Sequence, residues 1–307
     1  MLILLHGGHS YVTERMSCIF NAMIKTILFP SSIINKNVVD ESLKSEYEAV
    51  IATDLFDVAL FDNAEWFDND KLVVKAKFDE MKKTVYRGFM MPDDKYKVFY
   101  DELKKYNIEL INDYKEYRLM HIFPEAYEYI KDDTAKILTF PLHEKIDVNI
   151  IKKNFKKFMV KDFVKSVKGS DFPKYFDENI SQDEFDKWME KFYCYRGKLL
   201  TGGICIKEFL NLKYYGNRTN EFRIFYANNE VVSVSRNSGQ ADFSNVVPDT
   251  LVDKYRYLNS NYYTVDFAEL IDGKFVIVEV GDGQVSGLSD NQNYINYFRA
   301  LYYAFNK

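Results

Sequence analysis

Residues 264–288, TVDFAELIDGKFVIVEVGDGQVSGL, constrain the fold of this chain more than any other stretch. Two apolar-alternating runs flank Asp272-Gly273. Such a pair predicts a hairpin with a two-residue turn, because glycine accepts the positive φ that a tight turn demands. Side chains repeat every two residues along a strand, so Asp266 and Glu279 are expected as same-face neighbours on adjacent strands. Like charges held that way repel unless a cation or a basic group lies between them. Val265, Phe267, Val276, Ile277, Val278 and Val280 make both strands read as buried, and a buried carboxylate is rarely left unpaired. The alternative is two solvated surface carboxylates.

The 307 residues, 47% hydrophobic and 17% aromatic, suffice for a large core and for two or three domains. No apolar run reaches the roughly 18 residues that a membrane-spanning helix needs, and MLILLHGG lacks the length and basic leader of a secretory signal. A soluble, cytoplasmic protein with no membrane partner is the expectation. Cys18, Cys194 and Cys205 are odd in number and lack metal-ligand spacing, which argues against a disulfide framework or a cysteine zinc site. The net charge of −5 gives no general attraction to nucleic acid. The segment from Lys152 to Lys168 nevertheless sets many lysines against one aspartate and offers a local site for polyphosphate.

From residue 23 the pattern is strand (Thr26 to Phe29), helix (about Asp40 to Thr53) and strand (Asp57 to Phe61). A second unit follows: strand TVYRGFM, a helix over about Asp93 to Tyr106, strand IELIN, a helix around Pro124 to Lys131, and strand AKILTF. Strands alternating with such helices predict a parallel α/β layer. After Asp147 the strands arrive in antiparallel hairpins, including one turning at Asn228-Asn229. Helices interrupt them after the Ser181-x-x-Glu184 capping signal and at about Asp249 to Leu258, and an amphipathic helix closes the chain. The expected fold class is an α/β N-terminal domain over 23–147 and an α+β domain over 148–307. MIKTILFPSS at Met23 has the form of a natural start, which makes residues 1–22 an extension; LILL as a genuine edge strand is the alternative.

The motifs FMVKDFVKS, GGICIKEF, EFRIF, SVSR and VDFAELIDGKFVIVEVGDGQVSGL, in that order, resemble the ATP-grasp enzymes, within them a clade distinguished by two arginines and a lysine. ILFPSS, VYRGFMM and HIFPEAYEYI resemble the N-terminal region of that clade, so the likeness covers most of the chain. It implies two α+β lobes, largely antiparallel sheets, holding ATP between them. The implied reaction is activation of a carboxylate as an acylphosphate, captured by an amine to give an amide or peptide bond.

Each motif fits that chemistry. Lys161 ends a short strand and Lys165 and Lys168 follow in a loop ending at Gly169, an outline of a phosphate clamp. The alternative for each is a solvated surface lysine. In GGICIKEFLNL the resemblance places Glu208 and the backbone of Phe209 and Leu210 at the adenosine, with Lys207 nearby. Arg223 and Arg236 sit on the two strands of the Asn228-Asn229 hairpin and are read as sharing one cleft, where planar guanidinium groups suit a transferring phosphoryl group.

Magnesium wants hard oxygen ligands, which Asp266 and Glu279 supply. Relatives usually carry an asparagine two residues after the metal glutamate, where this chain has Gly281, so Asp282 or Gln284 is read as the substitute. Asp282 is assigned to the metal, Gln284 to substrate. Arg87 and Gly88 end a strand, a common ligand-binding position in α/β sheets, and are assigned to substrate. The histidines are scattered and support no histidine metal site or triad. The rival readings are an ATP-dependent RNA ligase or nucleic-acid repair enzyme, and a non-catalytic nucleotide-binding protein.

Overall fold

The computed structural model describes residues 23–237, 239 and 244–307. The expected extension 1–22, with His6, His9 and Cys18, lies outside the described residues. Within them the chain begins with β1 (Thr26–Pro30), α1 (Lys44–Thr53), β2 (Asp57–Phe61), α2 (Asn63–Asn69), β3 (Lys82–Tyr86), α3 (Asp93–Lys104) and β4 (Ile108–Leu110). The strands form a parallel sheet in the order β2-β1-β3-β4, as the alternating pattern predicts. β1 is buried at every position, which explains its unbroken apolar run. β3 stops at Tyr86, so Arg87 and Gly88 lie just past the strand they were expected to end.

Two helices then cross toward the second half. α4 (Tyr114–His121), which the sequence reading did not anticipate, starts at a full capping box made by Asp113 and Glu116. α5 (Phe123–Ile130) follows at once, with Pro124 in its first turn.

The next sheet is built from β5 (Ile137–Phe140), β6 (Lys157–Asp162), β7 (Phe176–Asp177) and β8 (Ile204–Glu208). Its order is β5-β8-β6-β7 and its pairs are antiparallel. β5 was expected as the fifth strand of the parallel layer; it pairs with β8 instead, so the parallel layer closes at four strands. α6 (Val148–Asn154) and α7 (Gln182–Arg196) belong to this lobe, α7 capped by the Ser181 side chain on the Glu184 N–H. Phe158, Ile204 and Ile206 from the strands share a core with Ile151 of α6 and Phe185 of α7. By strand alternation Met159, Lys161, Cys205 and Lys207 occupy the other face.

The last sheet follows the small hairpin of β9 (Tyr214–Tyr215) and β10 (Arg218–Thr219). It comprises β11 (Glu221–Ala227), β12 (Glu230–Arg236), β13 (Tyr262–Glu269) and β14 (Phe275–Asp282), in the order β12-β11-β13-β14. α8 (Asp249–Lys254) is shorter than expected, and α9 (Tyr294–Phe305) closes the chain. Asn228 and Asn229 both adopt positive φ, the two-residue turn of a right-twisted hairpin. The Asp272-Gly273 hairpin differs from the expected two-residue turn. Leu270 N–H donates to Lys274 O and Gly273 N–H to Leu270 O, leaving a three-residue loop in which only Gly273 is left-handed.

The first and last sheets share a core, in which Ile27 and Phe29 of β1 meet Phe225 of β11 and Phe298 and Leu301 of α9. Among the described residues no helix is long and apolar enough to cross a membrane.

Candidate active site

The two hairpins of the last sheet each carry one extra residue. In β13–β14, Phe267 faces Ile277 but Asp266 faces Glu279, so Val278 is the residue without a cross-strand partner. That bulge makes Asp266 and Glu279 direct cross-strand neighbours, as the sequence pattern suggests. In β11–β12, Tyr226 faces Val231 but Phe225 faces Ser233, leaving Val232 over. Beyond it Arg223 pairs with Ser235 and Arg236 with Phe222, so the two arginines lie on opposite faces. The expectation that both enter one cleft is thereby corrected. The Arg236 guanidinium packs 5.3 Å from the Phe222 ring centre, and its Nε donates to Ser244.

Arg223, Asp266 and Glu279 line a cavity of about 130 Å³ with Lys161, Lys165 and His121. The Arg223 guanidinium grips Asp266 in bidentate fashion, Nε to Oδ1 at 2.9 Å and Nη2 to Oδ2 at 2.7 Å. Lys165 Nζ stands 3.5 Å from Glu279. The Lys161 side chain is buried beside the Phe123 ring, 4.9 Å from its centre, and no acceptor meets its ammonium among the described residues. Lys207 flanks the same ring at 4.2 Å and donates to the carbonyl of Val278 at 2.7 Å, the residue that the bulge leaves without a cross-strand partner.

The loop that carries the lysines is shaped by Asp162. Its fully buried carboxylate accepts from the N–H groups of Val164 (2.7 Å) and Lys165 (2.6 Å) on one oxygen and from Arg196 Nε (2.8 Å) on the other. Lys168 lies further along this loop, exposed. The lysine-rich segment is not one basic strip: Lys153 is exposed on α6, Lys157 packs 4.0 Å from the Phe209 ring centre, and Lys161 and Lys165 turn into the cleft.

A second cavity, about 440 Å³, lies beside the strand-to-strand connection after β8 and is lined by Phe209, Leu210, Asn211, Lys157, Tyr175 and Glu221, among others. Phe209 and Leu210, which the resemblance assigns to the adenosine, thus line a cavity. Glu208 is not part of that lining: it pairs with Phe158 on the side that faces the lobe's own core, and its carboxylate accepts from Lys136 N at 3.3 Å.

Four further assignments change with the structure. Asp282, three residues past Glu279 in a regular stretch of β14, falls on the other sheet face, where Asn112 Nδ2 (2.5 Å) and the Gln284 N–H (2.9 Å) donate to its carboxylate. Among the described residues no group of three acidic, histidine or cysteine side chains gathers as a metal site. Gln284 is fully enclosed, with its side chain on Tyr96 and the Tyr86 N–H, and has no surface to offer a substrate. Arg87 is likewise buried, paired with Glu46 at 2.8 and 2.9 Å and donating to the carbonyls of Gly283 and Ser286, so it struts the loop after β14. Gly88 serves packing: a Cβ there would lie 2.5 Å from Tyr86 ring carbons.

Electrostatics separate the two faces. Burial would raise the Glu279 carboxyl, but Lys165, Lys161, Arg223 and Lys207 outweigh it and hold it below its ordinary value. Burial raises Asp266 despite Arg223, and pushes Asp282 up to about 7. Burial, with Lys161 next to it, brings Lys207 down to about 7. Asp266 and Glu279 form a two-carboxylate oxygen set that fits a hard divalent ion keeping water and phosphate ligands. His121, which the sequence reading set aside, is the addition: nothing in a lone histidine next to a helix end signals a cavity wall.

A family model, the ATP-grasp domain of family 3 in the clade named for two arginines and a lysine, matches residues 149–302, half of this chain. No curated protein matches. Among solved structures, the fold is similar to the ATP-grasp ligase PsnB complexed with a precursor variant, Mg and ADP (TM-score 0.59, 10% identity, 92% of this chain and 98% of that one). It is similar to the macrocyclase MdnC bound with precursor peptide MdnA from Microcystis aeruginosa MRC (TM-score 0.55, 12% identity, 90% and 98%). It is also similar to the D-alanine-D-alanine ligase from Coxiella burnetii (TM-score 0.59, 10% identity, 92% and 94%).

Proposed function

Because the chain belongs to the ATP-grasp domains of that clade's third family, we propose that it is an ATP- and Mg2+-dependent ligase that joins a carboxylate to an amine through an acylphosphate. The observation that carries this reading is the cavity in which Lys161, Lys165 and Arg223 face Asp266 and Glu279. Three cations beside two carboxylates suit a triphosphate and its metal, and phosphoryl transfer asks the protein mainly for positioning and charge neutralisation.

Lys161, whose ammonium meets no acceptor among the described residues, and Lys165 hold the phosphates. Asp162 fixes the loop backbone that sets where Lys165 points. Glu279 and Asp266 hold the magnesium ion, which when bound neutralises phosphate charge. Arg223 pairs with Asp266 and presents the rest of its guanidinium fork to the transferring phosphoryl group. The cavity beside Phe209 and Leu210 takes the nucleoside. A peptide is the favoured acceptor or donor class, since PsnB and MdnC are structurally similar and were solved with precursor peptides.

An ADP-versus-AMP product assay with ATP, Mg2+ and a pool of metabolites and short peptides tests the proposal. Acylphosphate chemistry releases ADP and phosphate as acceptor is consumed. AMP and pyrophosphate as products, or ATP binding without turnover across the pool, would overturn it.

A further inference from the structure

We propose that His121 is a catalytic residue of the ligation step, the group that accepts the proton of the attacking amine. The inference rests on the ligase reading above and deepens it. His121 is the last residue of α4 and lines the cavity with Lys161, Lys165 and Glu279. Its ring is stacked on Tyr117, with centroids 5.1 Å apart, and Tyr117 is itself stacked on Tyr96 at 3.7 Å and hydrogen-bonded through its hydroxyl to Met91 O. The imidazole is thus buried and fixed in place, and among the described residues no hydrogen-bond partner engages its nitrogens.

The other titratable groups on this wall are committed, Asp282 included, whose carboxylate is engaged by Asn112 and the Gln284 N–H. Lys161, Lys165 and Arg223 are the cations that meet phosphate, Asp266 is held by Arg223, and Glu279 belongs to the metal. Lys207 donates to Val278 O. Met90, Met120, Val164 and Val285 add apolar atoms to the same cavity, and with the nearby cations Lys161, Lys165 and Arg223 they disfavour an ammonium and so favour the neutral, nucleophilic amine.

In the step itself the nitrogen lone pair attacks the acylphosphate carbonyl carbon and the C–N bond forms. The bond from that carbon to the phosphate oxygen breaks, and phosphate leaves with its electron pair. The surplus N–H proton passes to a ring nitrogen of His121. Burial lowers the imidazole to about 4, with Lys165 and Arg118 lowering it further and Asp93 and Asp162 opposing them. It is therefore neutral and able to accept at physiological pH. Bringing phosphate charge into the cavity raises its basicity when the reaction needs it.

The test follows the His121 ring by NMR in the full-length protein, assigned with His121→Asn, from about two units below its free midpoint of about 4 upward through neutral pH. Adding AMPPNP and Mg2+ should raise its titration midpoint by about one unit or more. A midpoint that stays in place while calorimetry shows the nucleotide bound overturns the proposal; absence of nucleotide binding overturns the ligase reading itself. In turnover with the metabolite pool, His121→Asn should lose about tenfold more activity than it loses with hydroxylamine, a weakly basic acceptor whose adduct has a more acidic N–H and depends less on a positioned base. Equal losses with both acceptors would show that the ring only packs.

Discussion

The β11–β12 and β13–β14 hairpins differ in their turns but each carries one extra valine, and the effect on the cleft is opposite. In β13–β14 the extra Val278 sets Glu279 beside Asp266. In β11–β12 the extra Val232 turns Arg236 away and leaves Ser235 beside Arg223. Counted straight from their turns, the ladders would give the reverse, with Val278 opposite Asp266 and Val234 opposite Arg223. A single inserted residue therefore decides which charges a β-lobe offers its ligand, and no residue type signals it.

Substitutions on the two hairpins sharpen that contrast. Glu279→Gln removes a charge from the cavity face while keeping the shape, and turnover should fall by about a hundredfold or more, read as ADP release at saturating Mg2+. Full activity would remove the cleft-facing pair from the mechanism. Arg223→Ala should cost about tenfold or more in turnover and also leave the buried Asp266 unpaired, a loss of about 3–5 kcal/mol in denaturant unfolding. Adding Asp266→Asn should restore much of the stability and none of the activity.

A pH series compares the two faces of one strand. Asp282, raised to about 7 by burial, holds a proton in the folded state that the unfolded chain releases near pH 4. Its contribution to stability is complete below about pH 4 and is lost as pH rises to about 7. Glu279, lowered, acts in the opposite sense: its contribution is present above the unfolded carboxyl pKa and fades toward acid. Asp282→Asn should therefore flatten the fall in thermal midpoint between pH 4 and 7; an unchanged slope would place the proton elsewhere. The smallest effect on turnover belongs to Arg236→Ala, expected within about threefold of the parent, since its guanidinium lies on the sheet face away from Arg223. A loss matching Arg223→Ala would return Arg236 to the cleft.

Much of this architecture was legible because its signals are local. Strand alternation around Asp272-Gly273, the paired asparagines at 228 and 229, and the Ser181 cap each act over a few residues, and each forms. The failures are long-range. β5 reads as a strand, but its pairing with β8 spans more than sixty residues of sequence and cannot be inferred from its own composition. Arg87 ends an apolar strand like many ligand-binding residues; its burial depends on Glu46, which the sequence places 41 residues earlier. Asp282 shares a motif with Glu279, yet three steps along a strand is an odd number, and parity sends it to the Asn112 side. Lys161 and Arg223 line the cavity from strands whose inward face is fixed by neighbouring core residues, and Lys165 lines it from a loop held by the Asp162 carboxylate.

The strut from Glu46 through Arg87 to the Gly283 and Ser286 carbonyls bears on how this protein can be divided. The segment matched by the family model is not a detachable module. Cut free at residue 148, it would lose β5, baring the edge of β8, and would lose the clamp on the loop that follows Glu279. Exchange of the matched segment between relatives should fail unless the stretch that carries Glu46, Arg87 and β5 travels with it.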